Sequence, residues 1–329
     1  MSQTQQRCVG IVQEAWDFIR PFRITGHTFA FADIVVVSIH EGAARGRGEA
    51  AGVYYLQENS QTMMQQLQSV VPAIEQGANR QALLNLLPRG GARNALDCAL
   101  WDLEAKMTGR SIWELTGITP KATRTVLTVG IDTPEVMAQR AAELKSDTIK
   151  VKLSGDGPLE RIRAVRAARP DAELVVDANQ GWTFEQLSKL APEFADLGIA
   201  MIEQPLPRGG DAELEGFESP IILCADESCL DTTEFDQAAR RYGMINIKLD
   251  KTGGLTEALR LAGMARERGI ELMVGNMTGT SLAMAPGYVI AQYCRFVDLD
   301  GPCFQLKDRE PAMVYDNGLV SAPTRELWG

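Results

Sequence analysis

The chain has 329 residues, with 33 Lys and Arg against 43 Asp and Glu, a formal net charge of −10 and an isoelectric point near 4.9. That length points to about two domains with ample core, and the acidic balance argues against general binding to nucleic acid or an anionic membrane surface. Only two histidines, His27 and His40, are present, which excludes a three-histidine zinc site and leaves most proton-transfer chemistry to Lys, Glu or Asp.

Met1 to Gly10 carries neither the basic start nor the apolar core of a secretory leader. The six cysteines form no Cys-x-x-Cys pair, and no stretch approaches the roughly 18 apolar residues of a membrane span. A soluble cytoplasmic protein with free thiols and no membrane partner is the expectation. Cys8 to Phe18 alternates as a strand, and the β-branched run Ile34 to Ile39 is a second strand of the same small antiparallel sheet. The glycine-rich stretch Glu41 to Gly48 reads as a turn leading into Glu49 and Ala50. Asn59 to Ile74 is an amphipathic helix. A second helix, Gly91 to Met107, sets Ala95, Leu96, Ala99, Leu100 and Leu103 on one face and stops at Gly109.

From Arg124 the pattern becomes a regular beat. Eight short apolar strands are expected at 125–129, 148–151, 174–176, 199–202, 221–224, 244–247, 271–274 and 296–299. Between them run helical segments at 134–144, 159–168, 184–197, 256–268 and 281–293. Alternating strands and helices imply a parallel sheet, open or closed, and eight units favour closure into a barrel. No Gly-x-Gly-x-x-Gly turn follows the first strand, so a dinucleotide-binding fold is not supported.

Charges sit at the ends of these strands: Lys150 and Lys152, Asp177, Glu203, Asp226, Lys248, and Asp298 with Asp300. They recur at intervals of roughly 22 to 27 residues, the length of one strand–helix unit, and in a parallel barrel all such ends open onto one face. Asp177, Glu203 and Asp226 make an oxygen-only set suited to Mg²⁺, or Mn²⁺, rather than Zn²⁺. The plainer alternative is that each acid caps the following helix or pairs with a lysine. Lys150 and Lys152, two apart on a strand, emerge on the same side. Their mutual repulsion and a nearby metal would lower a lysine pKa toward neutrality, where it serves as a general base, with Lys248 approaching from the opposite wall. Neutralising the acids is the other role open to these lysines.

Lys150-Val-Lys152, Asp177-Ala-Asn-Gln-Gly-Trp182, Glu203-Gln-Pro205, Ala225-Asp-Glu-Ser228 and Asn246-Ile-Lys248 followed by Gly253-Gly254 resemble the muconate-lactonizing subgroup of the enolase superfamily, as do Asn94-Ala-Leu-Asp97 and Ala99-Leu-Trp-Asp102. The resemblance implies an α/β fold: a modified (β/α)7β TIM-type barrel over 121–300, with an α+β capping domain from 1–120 completed by 301–329. It implies Mg²⁺ on Asp177, Glu203 and Asp226, and Lys152 and Lys248 on opposite faces of a substrate α-carbon, with Lys150 tuning Lys152. Within the subgroup, Asp298-Leu-Asp300 is similar to the Asp-x-Asp with which dipeptide epimerases hold a free α-ammonium. The implied activity is therefore epimerisation of a dipeptide at its C-terminal residue. N-acylamino-acid racemase, o-succinylbenzoate synthase and cycloisomerase activities are the alternatives in the same superfamily, and a homo-oligomer fits it as well.

One stretch departs from the resemblance. Dipeptide epimerases acting on Ala-Glu carry an arginine a few residues after the equivalent of Pro21-Phe22, where this chain reads Ile24-Thr-Gly-His-Thr-Phe29. An arginine would pair with a glutamate side chain, so its absence opens the specificity to apolar, polar or cationic residues. Tyr54 and Tyr55 offer an aromatic wall for such a side chain or simple core packing, and His27 offers a substrate contact or a solvated loop residue.

Overall fold

In the computed structural model, which describes residues 7–329, the chain begins as a three-stranded antiparallel meander of β1 (Cys8–Ile24), β2 (His27–Glu41) and β3 (Ala44–Ala51). Its central strand supplies Val35, Val37 and Ile39, which pack under α1 (Ser60–Glu75) and α3 (Gly91–Thr108). Asn59 and Thr62 close a reciprocal cap that starts α1. Two short helices of this first part of the chain escape the sequence pattern, α2 (Arg80–Leu86) and α4 (Ile112–Thr116), each too brief to show a helical period.

The glycine-rich stretch is a strand rather than the expected turn. Only Gly42 and Ala43 turn the chain, while Gly46 and Gly48 lie within β3. A Cβ on Gly48 would stand 2.1 Å from the Ala95 carbonyl oxygen, and one on Gly46 would stand 2.2 Å from that of Ala99. These glycines exist so that α3 can lie directly on the strand.

After the short strand β4 (Thr123–Arg124) come eight parallel strands in sequential order: β5 (Leu127–Val129), β6 (Thr148–Lys152), β7 (Glu173–Asp177), β8 (Ile199–Glu203), β9 (Ile222–Ala225), β10 (Met244–Lys248), β11 (Glu271–Gly275) and β12 (Phe296–Val297). The Val126 N–H donates to the Val297 carbonyl at 2.7 Å, bringing the two ends of the sheet together. The fold is a TIM-type barrel with a capping layer, as expected. Val126, Val175, Met201, Cys224, Met244, Met273 and Phe296 fill its interior below the strand ends. The outer helices are α5 (Pro134–Glu143), α6 (Pro158–Ala168), α7 (Phe184–Asp196), α8 (Phe235–Arg241), α9 (Leu249–Thr252), α10 (Leu255–Glu267) and α11 (Ser281–Ala291). The last segment returns to the capping layer, where Trp328 Nε1 donates to the Cys98 carbonyl at 3.0 Å and the Gly329 N–H to Asp102 at 2.7 Å. No helix among the described residues is long and apolar enough to cross a membrane.

Cap and barrel are joined through α3. Arg93 donates to the carbonyls of Gly253 and Thr252, at 3.1 and 2.7 Å, and Asp97 accepts from the backbone and hydroxyl of Thr256, at 2.9 and 2.6 Å. The Asp250 Oδ1 atom accepts from both Asn94 (3.0 Å) and the Ala51 N–H (3.1 Å). Burial raises the Asp250 pKa to about 7 against the lowering effect of these two donors. The unfolded chain releases this proton near pH 3.9, so the native state binds more protons between about pH 4 and 7. Stability contributed by this group therefore falls as pH rises through that window. Asp250→Asn can keep both acceptor bonds on its Oδ1 atom without the buried charge. Its stability advantage over the parent should grow from pH 4 to 7 and then level off at about 2 to 4 kcal/mol. Urea denaturation across this range measures it, and a pH-independent difference would refute the assignment.

Candidate active site

The parallel register places the strand-end charges side by side. Lys152 ends β6, Asp177 ends β7, Glu203 ends β8 and Lys248 ends β10, with Lys152 opposite Asp177 and Asp177 opposite Glu203 in the ladders. Asp226 follows β9, while Asp298 and Asp300 follow β12. In a ring of eight strands, β6 and β10 are diametrically opposed, and β8 and β12 lie on the two walls midway between them. Two lysines thus face each other across a mouth with three acids on one flank and two on the other.

A cavity of about 430 Å³ occupies that mouth, and Lys150, Lys152, Asp226, Lys248, Asp298 and Asp300 line it. Lys152 Nζ donates to Asp177 at 2.6 Å and to Asn179 at 3.1 Å. Lys150 Nζ lies 3.1 Å from Asp177, 2.7 Å from Glu203 and 2.8 Å from Asp298, reaching both flanks. On the opposite wall Lys248 Nζ is 2.5 Å from one Asp226 oxygen, and Lys251 Nζ is 2.8 Å from the other. The sequence reading missed Lys251; it lies on the single turn of α9, one helical step after Lys248, and that spacing was its only signal.

Burial alone would lower the Lys150 pKa, but Asp298, Glu203 and Asp177 outweigh it and hold the ammonium well above its ordinary value. Lys248 behaves likewise, with Asp226 and Glu203 overcoming its burial. The Lys150 and Lys152 ammonium groups share the Asp177 Oδ2 atom. The acids respond in turn. Burial would raise Asp177 and Asp226, but Lys152 with Lys150, and Lys248 with Lys251, keep both well below the usual carboxylate range. Glu203 is raised by burial and by the charge of Asp177.

Beyond β12 the backbone leaves the sheet, so Asp298 and Asp300 converge through an irregular segment rather than strand alternation. Burial would raise Asp298, but Lys150 holds it down; burial and the neighbouring Asp298 charge push Asp300 well up. The Thr128 N–H donates to Asp300 at 2.9 Å. Glu227, also missed, is buried with neither carboxylate oxygen hydrogen-bonded, and burial with the Asp226 charge pushes its pKa up to about 8. Tyr54 and Tyr55 line the cavity from the capping side. His27 does not; its imidazole packs on the back of the Tyr54 ring with centroids 4.5 Å apart.

Among the described residues, no three His, Cys, Asp or Glu side chains stand in an arrangement ready to grip a metal ion, because ammonium groups already contact the acids. The donor chemistry nevertheless fits a hard cation. Asp177, Glu203 and Asp226 are buried on three adjacent units, and the Glu203 Oε2 atom faces Lys150 without hydrogen-bond geometry. Opposed lysines, an oxygen-only acid cluster and a paired carboxylate suit removal and return of a proton at a carbon beside a carboxylate.

Two family models match this chain: the mandelate racemase / muconate lactonizing enzyme N-terminal domain over residues 6–117, and the enolase C-terminal domain-like model over residues 134–326. The L-Ala-D/L-Glu epimerase of Escherichia coli (strain K12) is 45% identical over 316 residues, covering 95% of this chain and 98% of that protein. The structure of an enolase family member from Agrobacterium tumefaciens with homology to dipeptide epimerases, with bound sodium and L-Ala-L-Glu, superposes with a TM-score of 0.96 at 40% identity, covering 98% of this chain and 100% of that one. The dipeptide epimerase of Enterococcus faecalis V583, complexed with Mg and L-Leu-L-Tyr, superposes with a TM-score of 0.89 at 27% identity, covering 97% of each chain.

Proposed function

The chain belongs to the enolase superfamily, in its mandelate racemase / muconate lactonizing enzyme branch, and from that membership we propose that it is a dipeptide epimerase inverting the α-carbon of a dipeptide's C-terminal residue. The observation that carries this reading is the meeting, in one cavity, of two opposed lysines and the paired carboxylates Asp298 and Asp300.

Each residue has a task in that reaction. Asp298 and Asp300, which line the cavity together, take up the α-ammonium of the N-terminal residue as a charge-assisted contact. That fixes the peptide with its C-terminal α-carbon between Lys152 and Lys248. One lysine withdraws the α-proton and the other returns a proton to the opposite face, so the two exchange the roles of base and acid between the two directions. Asn179 receives Lys152 and donates its N–H to Asp177 at 2.8 Å, holding base and acid in register. Asn246 steadies Glu203 at 2.8 Å. Bound to Asp177, Glu203 and Asp226, Mg²⁺, or Mn²⁺ with the same ligand preference, would offset the charge of these acids and stabilise negative charge on the substrate carboxylate as the α-proton leaves.

The test is proton NMR of dipeptides in D₂O with the enzyme and Mg²⁺. The C-terminal α-proton should exchange for deuterium as the L,D diastereomer appears. A broad dipeptide panel showing neither change refutes the reading.

A further inference from the structure

The ring of walls around the mouth leaves one direction for the substrate's side chain. A tetrahedral α-carbon has four substituents. Its hydrogen points at Lys152 or Lys248. Its carboxylate points to the acid flank on β7 to β9, and its nitrogen leads toward Asp298 and Asp300. Beneath it the barrel is filled with apolar side chains. The side chain can only rise into the capping layer.

What meets it there is apolar. Phe22, Ile24, Phe29, Phe31 and Tyr54 form that part of the cavity, with Phe304 at its edge. Tyr54 is braced edge-on by Phe29 and Tyr55, at centroid distances of 5.6 and 5.2 Å, which holds a fixed aromatic wall. Among the described residues, the only cations lining the cavity are Lys150, Lys152 and Lys248, all committed below to the acid clusters. Arg20 and Arg23 line a separate cavity, and the Phe22 and Phe304 rings, 4.7 Å apart, border both.

The capping acids accept from neutral neighbours. Asp33 accepts from Gln13 and from Ser60, each at 2.7 Å. Glu58 accepts from the N–H groups of Val53 and Gly91, at 3.0 and 2.9 Å. This pocket therefore offers no cation for an acidic side chain, and a carboxylate entering it would lose its hydration without a partner.

We infer that the residue epimerised by this enzyme carries an apolar side chain of leucine or phenylalanine size, selected by Phe29 and Tyr54, and not a glutamate carboxylate. The inference rests on the dipeptide epimerase reading and narrows it.

The experiment compares α-proton exchange rates in D₂O for L-Ala-L-Phe, L-Ala-L-Leu, L-Ala-L-Glu and L-Ala-L-Lys at equal concentrations with Mg²⁺. For the parent enzyme, kcat/KM for L-Ala-L-Phe or L-Ala-L-Leu should exceed that for L-Ala-L-Glu and L-Ala-L-Lys at least tenfold. Phe29→Arg, which places a guanidinium against that wall, should raise the ratio of L-Ala-L-Glu to L-Ala-L-Phe by at least tenfold. Equal or faster turnover of L-Ala-L-Glu or L-Ala-L-Lys by the parent overturns the apolar assignment while leaving the epimerase reading intact. Silence from all four, and from a broader panel, overturns both. The parent comparison needs no variant to fold.

Discussion

Alanine at position 248 should abolish epimerisation while leaving one half of the chemistry alive. Lys152 and Lys248 stand on diametrically opposed strands, so each reaches only one face of a substrate held between them. Lys248→Ala should still exchange the α-proton of whichever diastereomer turns that proton toward Lys152, and Lys152→Ala should do so for the other. Neither should interconvert the two at more than about 10⁻² to 10⁻⁴ of the parent rate, a barrier increase of about 3 to 5 kcal/mol. Proton NMR on each separate diastereomer reads the asymmetry. Both variants should retain Mg²⁺ binding by calorimetry, because Asp177, Glu203 and Asp226 are left unaltered. If both diastereomers exchange in a single-lysine variant, one residue serves both faces and the two-lysine assignment fails.

The second large effect belongs to Asp298 and Asp300. Converting both to Asn keeps their size and removes the negative charge available to an ammonium. For a dipeptide, kcat/KM should fall by about 10² to 10³, or about 3 to 4 kcal/mol, the range expected when one partner of a buried charge pair is lost. The N-acetylated derivative of the same dipeptide carries no ammonium and should change far less. Kinetics on the two substrates side by side give the answer. Loss confined to the acylated substrate would favour an N-acylamino-acid racemase instead. Asp298 also contacts Lys150 at 2.8 Å, so Asp300→Asn alone provides the cleaner comparison.

The sequence reading works best where one residue type recurs at one place in each repeat. The apolar strand and terminal charge repeat through the barrel, so Lys152, Asp177, Glu203, Asp226 and Lys248 could be singled out, and the structure brings them to one mouth. It works poorly where meaning depends on what lies opposite. Gly46 and Gly48 look like turn residues until α3 is seen against their α-carbons. Like-charged Lys150 and Lys152 suggest depressed pKa values until three carboxylates are counted around Lys150. Glu227 is hidden beside its neighbour Asp226, because nothing in a linear reading shows which of two adjacent acids has hydrogen-bonding partners. His27 and Tyr54 are close in space, yet only the tyrosine reaches the cavity.

The bonds that tie α3 to the barrel also decide how a substrate gets in and out. Swinging the cap away as one body would break the contacts of Arg93, Asn94 and Asp97 with Thr252, Gly253, Asp250 and Thr256 together. At about 1 kcal/mol for each of these five bonds alone, such a motion is populated in fewer than about one in several thousand molecules. The bend between β1 and β2, around Gly26 and His27, is exposed to solvent and bears no bond to α3; Thr25 beside it donates to the barrel carbonyls of Leu153 and Ala178, at 3.5 and 3.2 Å. A route that spares the α3 tethers and loosens only the Thr25 contacts would pass that bend. Phe29, a few residues along, then stands at the doorway as well as in the room, and a substitution chosen to alter which side chain is accepted will also alter how long the product stays.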